Sequence, residues 1–178
     1  MKKNFIFNII LLIGLNLLIK PFWIFGIDRT IQNTVDVQVY GIYYTLFNFS
    51  FLFNIILDMG ITNFNNRSVA RQKDFLKENF SRIFSLKIIL FFFYLLFMIA
   101  AGFIIWHNQL QIKMLIPLLV NQFLSTFILY LRSNVSGLLM FKTDSFLSVI
   151  DRVIMIICCG ILLWGNVTNK PFDIMWFI

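Results

Sequence analysis

The residues of this chain able to do chemistry are polar and charged side chains set inside long apolar runs. The first group is in LNLLIKPFWIFGIDRT, where Lys20 and Pro21 stand side by side. Asn8 and Asn16 precede them, and on a helix the three polar side chains form one slowly drifting band. A second run carries Ser50, Asn54 and Asp58 at i, i+4, i+8 spacing. A third carries Asn121, Gln122, Ser125 and Thr126, two i, i+4 pairs on adjoining faces. In hydrocarbon a polar side chain either faces another helix or lines water. The spacing suits interhelical hydrogen bonding, at ~0.6 kcal/mol per contact. It equally suits a polar passage. With the first helix ending near Ile27, Lys20 would lie about 10 Å below the outer boundary. There it either snorkels outward or faces a hydrated cavity. Pro21 leaves the Leu17 carbonyl without its helical donor and favours a kink, which suits a moving gate.

Several other chemistries are absent from the pattern. No nucleotide loop, no nucleophile beside a base and no metal-ligand spacing stand out, so the sequence does not read as an enzyme and calls for neither metal nor cofactor. Cys158 and Cys159 are neighbours in an apolar run and read as buried filler. The one histidine, His107, reads as a surface residue.

The elements that must position these groups follow from composition. The 178 residues are 60% hydrophobic, 18% aromatic and 13% charged, with 23 Phe, and the mean hydropathy is +0.84. That leaves too little polar surface to cover a soluble globule, so the chain reads as an integral membrane protein. Apolar runs of about 20 residues predict an all-α, polytopic transmembrane bundle. The expected spans are 5–27, 41–60, 83–106, 114–131 and 145–164, with the start of a sixth at 171–178. That sixth run stops at Ile178 and reads as a span cut short. The N-terminus resembles a signal peptide but lacks a small-x-small cleavage site, which predicts an uncleaved first span.

Orientation follows from the cations. With the N-terminus in the cytoplasm, inside loops hold Lys2, Lys3, Arg67, Arg71, Lys73, Lys77, Arg82, Lys87, Arg132, Lys142 and Arg152. Outside loops hold only Arg29, Lys113 and Lys170. Positive residues favour the cytoplasmic side, so this is the expected topology. It also explains the net charge of +7 without nucleic acid. Trp23, Trp106 and Trp164 would then mark the outer interface. Residues 61–82 form a basic amphipathic cytoplasmic segment, expected to lie on anionic headgroups and lead into the third span. The turn RSNVSGLLMFKTDS, with Gly137, reads as a short interfacial connection.

Two stretches resemble a known family. VYGIYYTLFNFSFLFNIILDMGITNFNNRSVAR, opened by Tyr40-Gly41 and closed by Asp58-Met59-Gly60 before a basic loop, is similar to the N-terminal region of Wzx-type polysaccharide biosynthesis proteins. RSNVSGLLMFKTDSFLSVIDR resembles their cytoplasmic turn into helix five. These proteins are flippases for lipid-linked oligosaccharides, in the superfamily that holds the multidrug and toxin extruders. The resemblance implies a two-bundle, MATE-like transporter of which this chain supplies most of one bundle. It implies a bacterial inner-membrane location and a polyprenyl-diphosphate-linked oligosaccharide as substrate, for surface polysaccharide or O-antigen assembly. Membrane lipids and glycan polymerase or assembly proteins would be the partners. On that reading Lys20 and Arg29 attract the diphosphate, and Tyr44, Asn48, Asn54, Asn121 and Gln122 hydrogen-bond sugar hydroxyls. Pro21, Asp58 and Arg67 are gating or coupling candidates, with Asp58 expected to pair with Arg67. A drug or cation antiporter of the same fold and a non-transporting membrane scaffold are the alternatives.

Overall fold

A computed structural model describes residues 14, 17, 19, 21–72, 74–105, 109–165 and 174–178. Every regular element among them is helical. Pro21 and Phe22 lead into a π-helical segment, Trp23–Asp28, which passes directly into α1 (Arg29–Thr34). There follow α2 (Val37–Leu52), α3 (Ile55–Asp58), α4 (Ile61–Arg71), α5 (Phe75–Ile105), α6 (Gln109–Gly137) and α7 (Phe141–Trp164). A short 3-10 turn, Ile174–Trp176, comes last. Four stretches are long and apolar enough to cross a membrane: Val37–Arg71, Phe75–Ile105, Gln109–Gly137 and Phe141–Trp164. Such runs become helices because hydrocarbon offers no partner to a backbone N–H or C=O except within the helix itself.

The chain divides into two compact units, Met1–Tyr40 with Phe141–Phe177 and Gly41–Met140 with Ile178. In the second unit, three helical layers alternate in direction. Phe91 stacks on Phe123 at 4.2 Å, Phe84 meets Phe127 at 5.6 Å and Phe80 stacks on Tyr130 at 6.2 Å between ring centroids. Those pairs descend one helix as they climb the other, so α5 and α6 are antiparallel. The α3–α4 stretch instead runs parallel to α6. Asn54 bonds Gln122 and Asn65 bonds Ser133, each pair 68 residues apart, and Val69 meets Gly137 at the same offset. In the first unit, Ile27, Ile31 and Ile174 are buried, Trp23 stacks on Phe177 at 6.1 Å, and the Tyr40 hydroxyl donates to Asp28 Oδ1 at 3.0 Å.

The breaks in these helices have local causes. Thr45, Asn48 and Ser50 each donate a side-chain hydrogen bond back to a carbonyl of their own helix. Such bonds compete with the backbone ladder and bend it. The ladder then changes register at Phe53–Asn54, where Asn54 N–H reaches the Phe51 carbonyl at 3.1 Å and Ile56 N–H reaches Phe53 at 3.0 Å. Met59 (φ 44°) and Gly60 (φ 83°) both take the left-handed conformation and turn the chain from α3 into α4. Leu139 (φ 62°) closes α6 in the same way, with Met140 N–H on the Val135 carbonyl and Leu139 N–H on that of Ser136. That double bond is the Schellman pattern, where glycine is the usual residue.

The helices run beyond the expected spans. The helix that holds the end of the 5–27 run continues through the π segment to Thr34, while residues before Gly14 lie outside the described set. The helices that hold the 41–60, 83–106, 114–131 and 145–164 runs start at Val37, Phe75, Gln109 and Phe141. Polar first turns extend these helices because helical hydrogen bonding outlasts the apolar run. The 61–82 segment is not one amphipathic helix: it divides at residues 72–74 into α4 and the opening turns of α5. Within 171–178 the described residues form the 3-10 turn rather than a helical span. Cys158 is exposed and Cys159 half-buried, because α7 has no buried residue at all.

Candidate functional site

The polar residues of the second unit assemble into a seam between α3–α4, α5 and α6. At its first step, the shifted ladder leaves the Ser50 carbonyl without Asn54 as donor, and the buried Tyr94 hydroxyl donates to it at 2.9 Å. One turn on, Asn54 Nδ2 donates to Gln122 Oε1 at 3.1 Å. Asn54 Oδ1 is buried and makes no hydrogen bond.

An ion pair forms the centre. Lys87 Nζ donates to Asp58 Oδ1 at 2.8 Å, with the lysine side chain 1% exposed and the aspartate 27% exposed. Asp58 sits at the end of α3 and reaches forward onto the start of α4. Its oxygens accept the Thr62 N–H at 3.3 and 3.4 Å and the Thr62 hydroxyl. It therefore caps the N-terminus of α4, where a carboxylate meets the positive end of the helix dipole. Lys87 Nζ also lies 5.5 Å from the centroid of the Tyr130 ring, within cation–π range.

The far end of the seam locks α4 to α6. Asn65, fully buried, donates from Nδ2 to Ser133 Oγ at 2.8 Å and to Asn134 Oδ1 at 2.6 Å. The Ser133 hydroxyl in turn donates a hydrogen bond to the Tyr130 carbonyl at 2.7 Å. Close approach is possible because Gly137 has no side chain. A Cβ there would sit 2.9 Å from Val69 Cβ and 3.0 Å from the Asn66 carbonyl oxygen. Gly137, the last residue of α6, is thus a packing residue as well as the start of the turn that the sequence suggested.

The sequence candidates separate into distinct places. Asn54 and Gln122 come together in the seam. Tyr44 and Asn48 lie on an exposed face of α2, where Asn48 Nδ2 bonds the Tyr44 carbonyl at 2.8 Å. Asn121 is exposed on α6. Arg29 is exposed in α1 of the other unit, and Pro21 is exposed just ahead of the π segment. Lys20, Asn8, Asn16 and His107 lie outside the described residues. Asp58 pairs with Lys87 rather than Arg67, which is exposed on α4. The α3–α4 turn aims the carboxylate at α5 and forward onto Thr62, while Arg67 lies more than a turn further along.

Lys87, Tyr130, Tyr94 and Asn65 escaped the sequence reading. Lys87 had a signal: it falls four residues inside the expected 83–106 span, yet it entered the count of loop cations. Tyr130 and Asn65 had none, since their roles depend on the parallel register. Among the described residues no group of His, Cys, Asp and Glu could hold a metal ion.

A second polar feature belongs to the first unit. A cavity of about 330 Å³ is lined by Ile19, Trp23, Ile24, Asp151, Arg152 and Met155. Comparison with protein family models, curated proteins and solved structures finds no match to this chain.

Proposed function

We propose that this chain forms one bundle of a transporter that flips a polyprenyl-diphosphate-linked oligosaccharide across the bacterial inner membrane, N-terminus inside, for surface polysaccharide or O-antigen assembly. One observation carries the reading beyond resemblance: the two stretches similar to Wzx-type flippases are the ones that interlock, through Asn65 on Ser133 and Asn134 and through Val69 on Gly137. A diphosphate and its sugars cannot cross hydrocarbon unaided. Lys20 and Arg29 are the proposed diphosphate-attracting cations. Tyr44, Asn48 and Asn121, on exposed faces, are the proposed sugar contacts. Asn54 and Gln122 are assigned instead to holding the bundle together, because each engages the other.

The test is genetic. In cells lacking the native gene, the full-length protein carrying Lys20→Leu should reach the membrane in normal amount and fail to restore surface glycan. Normal glycan from that variant would remove the assignment. Fusions of a reporter active only in the cytoplasm, placed at the N-terminus and in residues 72–74, should both be active in the proposed orientation.

A cation-coupled drug antiporter is the second reading, favoured by Asp58, a carboxylate ion-paired inside the helical unit. Raised drug resistance that Asp58→Asn erases would put this reading first. The hydrogen-bonded seam also suits a scaffold without transport. Cysteines introduced along Ser50–Asp58 that never react with water-soluble thiol reagents would favour that view.

A further inference from the structure

The cavity in the first unit pairs two unmatched charges with an apolar wall. Asp151 and Arg152 are consecutive on α7, and both line the same space. Consecutive helical residues point about 100° apart, so the carboxylate and the guanidinium flank the cavity from two sides. Among the described residues neither forms a hydrogen bond or an ion pair. Among the described residues the remaining lining comes from Ile19, Ile24, Met155 and the Trp23 indole. One indole neighbour is fixed already, since Trp23 stacks on Phe177 at 6.1 Å. The cavity is open rather than sealed: Ile24 is 51% and Met155 46% exposed.

Depth can be read along both helices. Trp23 lies 11 residues before the end of α1 at Thr34, about 16 Å of helix, and Asp151 lies 13 residues before Trp164, about 20 Å. With those ends outermost in a ~30 Å hydrocarbon layer, as the proposed orientation has them, Trp23 falls near the midplane and Asp151 about 10 Å from the inner headgroups, so the cavity lies in the inner half of the layer. Unpaired charges at that level of an apolar helix mark a binding function more often than a packing one.

We propose that this cavity seats one phospholipid of the inner leaflet whose headgroup is a zwitterion, a primary ammonium on a phosphodiester. Arg152 donates to the phosphate, and Asp151 accepts from the ammonium. Ile19, Ile24 and Met155 take the start of the acyl chains, with the Trp23 ring beside them toward the midplane. The neighbouring carboxylate selects against a purely anionic headgroup, which would meet Arg152 and Asp151 together with no cation to offer Asp151. The seat is independent of what the bundle transports.

The test uses the full chain in nanodiscs of equal phosphatidylethanolamine and phosphatidylglycerol, followed by detergent transfer and native mass spectrometry of retained lipid. One phosphatidylethanolamine should be retained about tenfold over phosphatidylglycerol, the ratio expected from one charge-assisted hydrogen bond. Asp151→Asn should bring that ratio close to one while lipid is still held. Arg152→Gln should lower retention of both lipids. Met155→Trp, which fills the cavity and leaves both charges, should abolish retention, with circular dichroism showing unchanged helicity in every variant. Equal retention of the two lipids by the unsubstituted chain, or a ratio unmoved by Asp151→Asn, would overturn the proposal. Retention undiminished by Met155→Trp would place the lipid elsewhere and overturn it too.

Discussion

Removing either partner of the Asp58–Lys87 pair should have unequal effects, and the inequality follows from burial. Asp58→Asn keeps an amide oxygen in place for the Thr62 N–H, so the cap on α4 survives. It leaves Lys87, 1% exposed, as a cation with no counter-charge. Removing one partner of a buried pair destabilises by about 3–5 kcal/mol. The Tyr130 ring, 5.5 Å from Nζ, is in place before and after the substitution and does not offset that loss. A loss of about 3–5 kcal/mol is expected. Lys87→Met is different. Methionine fills most of the aliphatic volume, and Asp58, 27% exposed and still bonded to Thr62, can be hydrated. The expected loss is about 1 kcal/mol, in the range of an ordinary hydrogen bond. The double variant should then be more stable than Asp58→Asn alone, since no buried charge is stranded. Equilibrium unfolding in mixed micelles, followed by Trp fluorescence, gives all four corners of the cycle. If Lys87→Met proves as damaging as Asp58→Asn, or the double variant is no better than the worse single, burial does not set the energetics of this pair.

Three further substitutions probe the same unit by the same unfolding measurement. Gly137→Ala forces a Cβ to within 3.0 Å of the Asn66 carbonyl and 2.9 Å of Val69 Cβ, and should destabilise by about 1–3 kcal/mol, with unchanged stability excluding the close contact of α4 and α6. Tyr94→Phe leaves the Ser50 carbonyl unpaired in a buried place and should lose about 1–3 kcal/mol; a neutral result would mean another donor serves that carbonyl. Leu139→Gly relieves a left-handed φ of 62° at an exposed helix end and should stabilise by about 0.5–1 kcal/mol; a loss would show that the leucine side chain packs at that end.

Helix content was legible from the length and continuity of the apolar runs, because hydrocarbon forces a backbone to satisfy itself. The i, i+4, i+8 row at Ser50, Asn54 and Asp58 pointed correctly to one inward face: Ser50 is buried, and the other two are bonded across to α6 and α5. Partner identity was not legible. Lys87 and Asp58 are 29 residues apart, and nothing local joins them. The choice of Lys87 over Arg67 depends on two left-handed residues, Met59 and Gly60, which decide where the carboxylate points. The length of the first helix was misread for a related reason. The apolar run ends at Ile27, but a π register carries the helix on through Asp28 into Arg29–Thr34, so the end of the apolar run is not the end of the helix.

The roles of the polar residues divide by whether a partner within the unit already engages them. By residue type and spacing alone, an asparagine in an apolar run suits bundle adhesion and the lining of a passage equally well. Asn54 engages Gln122, and Asn65 engages Ser133 and Asn134, so their hydrogen bonds hold α4 and the start of α3 against α6 in a single parallel register. A slip by one residue along α6 would break Asn54–Gln122 and Asn65–Ser133 together and drive Val69 off Gly137. Polar contacts worth little singly thereby fix a geometry that apolar phenylalanine stacks alone would leave free to slide. Asp151 and Arg152 are the converse, two charges in an apolar helix with no partner among the described residues. Structural demand accounts for the seam, and the proposed lipid seat would account for that pair.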